Sequence, residues 1–250
     1  MRGWWPKSSW STFLPAITLL TILSVIAVHG LNPRGKADSD HAWDTWRTPA
    51  GDDLPRDLPE SRTFLYQYNS TVVFGRDRST FIDKANNLLE EIRIERFGIE
   101  SRPILLLGHS MGGILIKQAL VNAHNNPRYS SIKLATQGVV FFATPHRGAD
   151  GLLLTLGDGL STIASYLGFQ RGENILEVLK SQSIITETMQ EQWKHQLEQY
   201  HIVSFWGTFD DIVSRQSARL DLPGNRESLV QLNADHSGVC KFGSSPNRPG

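Results

Sequence analysis

The sequence carries serine, histidine and aspartate, the side chains of an acyl-transferring site, in a suggestive order. Gly108-His109-Ser110-Met111-Gly112, extended by Gly113, is a G-x-S-x-G pattern. Its chemistry needs a serine at the tip of a tight strand-to-helix turn, where the backbone is strained and small neighbours are required. Gly108 and Gly112 supply them two residues before and after. The bland alternative is a glycine-rich turn, but an apolar run precedes the motif and an amphipathic segment follows it. Ser110 is therefore the candidate nucleophile, with Gly108, His109 and Gly112 forming its elbow.

A serine hydroxyl is a poor nucleophile at neutral pH, so it needs a general base within hydrogen-bond reach and a carboxylate to orient that base. In the strand–elbow–helix architecture that such a G-x-S-x-G motif marks, the chain order is Ser, acid, His. Among the later histidines, His124 and His195 fall in helical patterns and His201 precedes a strand pattern. His236 lies in the polar loop Asn233 to Gly238, directly after the last strand pattern, where a base belongs. The acid is sought in Gly207-Thr208-Phe209-Asp210-Asp211-Ile212-Val213. The G-x-x-D-x-x-V spacing selects Asp210, while a shift of one residue in the loop exchanges it for Asp211, so both stay open. Asp235 adjoins His236 in sequence, and such a neighbour rarely reaches the ring nitrogen. Val28-His29-Gly30-Leu31 ends the first strand pattern, which makes the amides of Leu31 and Met111 the candidate oxyanion donors. An ordinary turn at His29-Gly30 is the competing reading.

The elements that must hold these residues are legible as alternating strands and helices. Leu23 to Val28, Thr63 to Tyr68, Pro103 to Leu107, Gln137 to Ala143, Ile202 to Trp206 and Leu229 to Leu232 read as strands. Thr80 to Phe97 and Met111 to Asn125 read as amphipathic helices, the second stopped at Asn125-Asn126-Pro127. Asn32 to Arg62, with its four prolines, reads as loop with at most short helices. The expected class is α/β, a mostly parallel sheet with helices on both faces. Between 148 and 200 no strand pattern occurs, and glycines and leucines suggest a helical, lid-like insertion; a plain crossover helix is the alternative. The expected layout is a lead-in at 1–24, one domain at 25–243 and a disordered tail at 244–250.

Composition narrows the function classes. The 250 residues carry 25 Lys+Arg and 25 Asp+Glu, a net charge of zero that speaks against a nucleic-acid binder or an acidic tail protein. Cys240, the single cysteine, excludes an intramolecular disulfide and a Cys-rich zinc site and points to a reducing compartment. The histidines lack the paired helical spacing of a zinc hydrolase, so neither a metal nor another cofactor is expected. Gly30 to Ala37 nearly matches a phosphate-binding loop, but Ala37 stands where a Mg²⁺-binding hydroxyl is required. Residues 13–28 form a long, uncharged and mainly apolar run, short of the roughly 20 residues of a spanning helix. They read as a buried strand with an apolar lead-in, as a membrane anchor, or as a signal segment cleaved near Ala27.

With VHGLN, GHSMGG, FFATPHRG and DHSGVCKF in this order, the chain resembles the α/β-hydrolase family of lipase-like serine esterases that includes the serine active site-containing proteins. It looks especially like hydrolase domains found alone, or ahead of NACHT and repeat modules, in filamentous fungi. The likeness runs from Ile26 to Phe242. It implies an α/β-hydrolase fold, Ser110, His236 and a carboxylate as the catalytic groups, and Thr144-Pro145-His146 as a structural turn beneath the site. It also implies an intracellular place at a mitochondrial or endoplasmic-reticulum membrane and a role in phospholipid remodelling. Relatives often carry Glu directly after the penultimate strand, where this chain has Gly207, and the stretch 52–59 looks shortened. The expected function is cleavage of an acyl-ester or lipid substrate through an acyl-enzyme. The alternative is a weak or inactive module of hydrolase shape used for signalling or partner recruitment.

Overall fold

The structure, a computed structural model, describes residues 23–32, 38–46, 60–68, 70, 81–146, 193, 196, 199–222 and 225–241. The lead-in before residue 23, the stretch 52–59, nearly all of the 148–200 insertion and the 244–250 tail lie outside them.

Six strands form one wholly parallel sheet: β1 (Ser24–Val28), β2 (Arg62–Tyr66), β3 (Ile104–His109), β4 (Thr136–Phe142), β5 (His201–Gly207) and β6 (Glu227–Leu232), in the order β2-β1-β3-β4-β5-β6. Every residue of β1 and β3 is buried. Successive side chains of a strand point to opposite faces, so an apolar run is needed where both faces are covered. Ile26, Val28 and Leu106 enter one core with Leu88, Leu89 and Leu115, while Val25, Ala27, Leu105 and Leu107 enter a second with Phe142 and Phe205. β2 and β6, at the ends of the order, are largely half-buried.

The first core is covered by α2 (Phe81–Glu95) and α3 (Met111–Asn125). The second is covered in part by α1 (Asp38–Trp46), whose Trp46 ring meets Phe142 edge-on at 5.6 Å between centroids. Helices therefore lie on both faces, as the alternating pattern predicts. The strands deviate from their predicted limits by one or two residues at the ends. α1 is the regular element within a stretch that reads as loop. Past α3 the chain continues as a 3₁₀ turn (Pro127–Tyr129) and α4 (Ser130–Ala135). Asn126 and Pro127 do stop α3, but the Asn126 side chain accepts from the Arg128 amide and Pro127 has no amide to satisfy, so the same pair starts the next turn.

Both helix approaches that matter for the site depend on glycine. A Cβ on Gly112 would lie 2.3 Å from the Val28 carbonyl oxygen, and one on Gly113 would lie 2.1 Å from Thr144 Oγ1. α3 thus begins in contact with the end of β1 on one side and with the turn after β4 on the other.

Candidate active site

β3 ends in the middle of the sheet, and the chain must reverse there within one residue to enter α3. Ser110 makes that reversal with φ 53° and ψ −123°, a strained conformation for a residue with a Cβ. Its amide donates to the Phe142 carbonyl at 2.9 Å, and the Gly113 amide donates back to the Ser110 carbonyl at 3.1 Å. Ala143, at the end of the neighbouring strand, also has a positive φ of 45°.

Two further carboxyl-end segments bring their side chains to this turn. After β6, His236 places Nε2 3.0 Å from Ser110 Oγ. After β5, Asp210 places Oδ2 2.9 Å from His236 Nδ1. A carboxylate only accepts, so Nδ1 carries the imidazole proton and the Nε2 lone pair faces the serine hydroxyl. The other Asp210 oxygen, Oδ1, accepts from the amides of Ile212 and Val213 at 2.8 and 2.9 Å, and the side chain is fully buried. Asp211, which the spacing leaves open, is exposed. Asp235 Oδ1 accepts from Ser237 Oγ and the Gly238 amide and so shapes the turn that carries His236. The departure at Gly207 has a steric reason: a Cβ there would lie 2.3 Å from the Ala234 carbonyl oxygen.

The remaining histidines sort by environment. His124, at the end of α3, meets the Tyr200 hydroxyl at 2.8 Å, and burial, with Lys133 adding to it, holds its imidazole down to about 4. His146 is buried beneath the sheet's edge against Phe141 at 4.6 Å, with its amide donating to the Ser217 carbonyl. His201 is exposed at the start of β5, and His195 lies outside the described residues.

The segment after β1 lies against the elbow. A Cβ on Gly30 would be 2.9 Å from Ser110 Cβ, and Leu31 follows directly, buried, as is Met111. Two residues that pattern reading missed brace this turn from the end of β2. The Tyr68 hydroxyl donates to the His29 carbonyl at 2.9 Å, and Ser70 Oγ accepts from the Asn32 amide at 2.7 Å. Tyr68 also stacks on the His29 ring at 4.5 Å. A third such residue is Cys240, whose thiol donates to the Thr45 carbonyl at 3.2 Å and ties the base's turn to α1; burial pushes it up to about 12. No periodic signal marks these contacts, since their partners lie 38 to 195 residues away.

No family model matches the sequence. Over 204 residues, 75% of this chain, it is 26% identical to protein SERAC1 of Bos taurus and covers 29% of that protein. A 101-residue stretch, 38% of this chain, is 31% identical to protein SERAC1 of Homo sapiens, again a small part, 15%, of the relative. The chain thus spans less than a third of the length of the curated relatives it matches. Among solved structures, the mature form of Bacillus licheniformis lipase BlEst2 is similar with a TM-score of 0.51 at 17% identity, over 89% of this chain and 88% of that one. MGS-MChE2, an α/β-hydrolase enzyme from the metagenome of sediments of the Mar Chica lagoon, Morocco, gives a TM-score of 0.51 at 14% identity, over 88% and 84%. Parallel strand order, a strained serine turn at the sheet's centre and these superpositions agree: the chain has the α/β-hydrolase fold.

Proposed function

We propose that the protein is a serine hydrolase that transfers the acyl group of an ester to water. Ser110 Oγ attacks the ester carbonyl while His236 Nε2 takes its proton, and Asp210 holds the imidazolium that forms. The Leu31 and Met111 amides stabilise the negative oxygen of the tetrahedral intermediate. His236 then returns the proton to the leaving alkoxide, and a water activated in the same way hydrolyses the acyl-enzyme. The observation that carries this reading is the pair of hydrogen bonds linking Ser110 Oγ to His236 Nε2 at 3.0 Å and His236 Nδ1 to Asp210 Oδ2 at 2.9 Å. An unused histidine and aspartate have no reason to line up in this order on a strained serine.

A fluorophosphonate probe tests it directly. The wild type is expected to label and Ser110→Ala to stay unlabelled; equal labelling of both, or labelling of neither, defeats the reading and leaves a non-catalytic module. Within acyl esters, a lipid donor is the favoured class, because an apolar run, Phe13 to Leu23, precedes the domain. Turnover of a chain-length series of acyl esters and phospholipids, compared with Ser110→Ala, checks that part separately.

A further inference from the structure

His109 stands beside the nucleophile in sequence, and the residue is buried, with 7% of its surface exposed. Its Nε2 lies 2.8 Å from the main-chain oxygen of His236. That oxygen can only accept, so Nε2 carries the proton and Nδ1 is left as a bare lone pair. Nδ1 is buried without a hydrogen-bond partner among the described residues. It faces Gly30, on which a Cβ would lie 3.2 Å away. The two imidazoles are tilted by 46° with centroids 5.0 Å apart, so the rings of 109 and 236 lie side by side.

The need for such a contact follows from where His236 sits. It begins a turn, 236–240, and has no strand ladder to fix its main chain. The residues before it are pinned: the amides of Thr208 and Phe209 donate to the carbonyls of Leu232 and Ala234. The residues after it are held by Asp235, whose side chain accepts from Ser237 and Gly238 and whose carbonyl accepts from Val239. At His236 itself, Asp210 fixes the ring and His109 fixes the carbonyl.

We infer that His109 is a positioning residue, a neutral hydrogen-bond donor that sets the main chain of His236 and so the distance from the base to Ser110. The contact closes a short ring of bonds: Ser110 is joined covalently to His109, His109 Nε2–H holds the His236 carbonyl, and the His236 imidazole returns to Ser110 Oγ. Any shift of the turn at 236 must break one of these links. Burial, followed by the nearby charge of His236, holds the His109 imidazole well below the usual histidine range, so the donor is kept neutral and its tautomer constant. A cation there would put a second N–H on the unpartnered Nδ1 side and a like charge beside the imidazolium that His236 becomes.

This inference rests on the proposed hydrolase reading, and the test keeps the two apart. The probe is again a fluorophosphonate, read as a second-order labelling rate on folded protein, with near-UV circular dichroism as the check of folding. Labelling of the wild type that depends on Ser110 secures the reading of the site. Given that, His109→Leu, which removes the donor, is expected to label about 10- to 100-fold more slowly, the range for a displacement of a reacting group by about an ångström. His109→Gln, whose amide nitrogen can reach the same carbonyl, is expected to regain most of the rate. A role in packing alone predicts the opposite, because leucine fills the buried site better than a polar amide. His109→Leu labelling as fast as the wild type, or a folded His109→Gln as slow as His109→Leu, overturns the assignment. If His109→Leu does not fold, ¹⁵N NMR of the wild-type histidines decides. The His109 ring is expected to stay in the Nε2–H tautomer with no titration from pH 8 down to pH 5.5, and a ring that titrates near the ordinary histidine value overturns the inference.

Discussion

Removing one carboxylate should separate two neighbours that sequence spacing leaves interchangeable. Asp210→Asn keeps the shape but loses the acceptor for His236 Nδ1–H, so hydrolysis of an activated ester is expected to fall by roughly 10⁴-fold, the loss seen when a base is left in the wrong tautomer. Asp211→Asn, at an exposed side chain, is expected to leave the rate near wild type; the opposite ranking reassigns the acid. The choice is physical. A turn has no periodicity to fix its register, and what turns Asp210 inward is the capping of its Oδ1 by the amides of Ile212 and Val213. Those amide directions exist only once the turn has formed. Ser110 and His236 were readable beforehand because each stands at a fixed place relative to a strand end.

Where β1, β3 and α3 meet, two glycine substitutions should have different consequences. Gly112→Ala drives a Cβ into backbone, 2.3 Å from Val28 O and 2.4 Å from His29 O, and the end of β1, paired with β2 and β3 on its two sides, cannot give way. A loss of about 3 kcal/mol is expected in urea unfolding, the upper end for overpacking. Gly30→Ala puts its Cβ 2.9 Å from Ser110 Cβ, the atom that carries the nucleophile's oxygen, and is expected to slow fluorophosphonate labelling, because that Cβ can move only with the strained turn itself. Equal urea midpoints for Gly112→Ala and wild type would contradict this packing. The strands of this junction were legible because burial on both faces forces continuous apolar runs such as Ile104 to Leu107. α1 could be read only as a short helix allowed within a loop, because four of its nine residues are charged or histidine and it shows little apolar periodicity. The braces from Tyr68 and Ser70 were invisible for a different reason: they are polar contacts across nearly forty residues, which no local pattern encodes.

The molecule as a whole should be acid-sensitive from a higher pH than its carboxylates alone would set. His109 and His124 both titrate below the ordinary histidine value of 6.5 in the folded protein, His124 at about 4. Below pH 6.5 the unfolded chain binds protons at these positions that the native state refuses, so stability falls as pH drops through that window. Glu90 has the carboxylate sign. Hydrogen bonds from Arg128 and then Tyr129 hold it at about 2, so its support is complete above 4.5 and disappears only as pH falls toward 2. Tm is therefore expected to decline between pH 6.5 and 4.5, before Glu90 contributes, and His124→Gln should make that decline shallower. A Tm that is level across this window would count against the buried neutral histidines. The parallel sheet has a further effect, on how the chain is made. β1 pairs with β2 on one side and with β3 on the other, Ser24 against Ile104, and 104 − 24 = 80 residues separate those partners. At a synthesis rate of about 5–20 residues per second, roughly 4–16 s pass between the emergence of one and of the other. For that interval the nascent chain carries Val25-Ile26-Ala27-Val28 without its central neighbour, so holdase binding during translation should concentrate on this segment and end when Ile104 to Leu107 clear the ribosome.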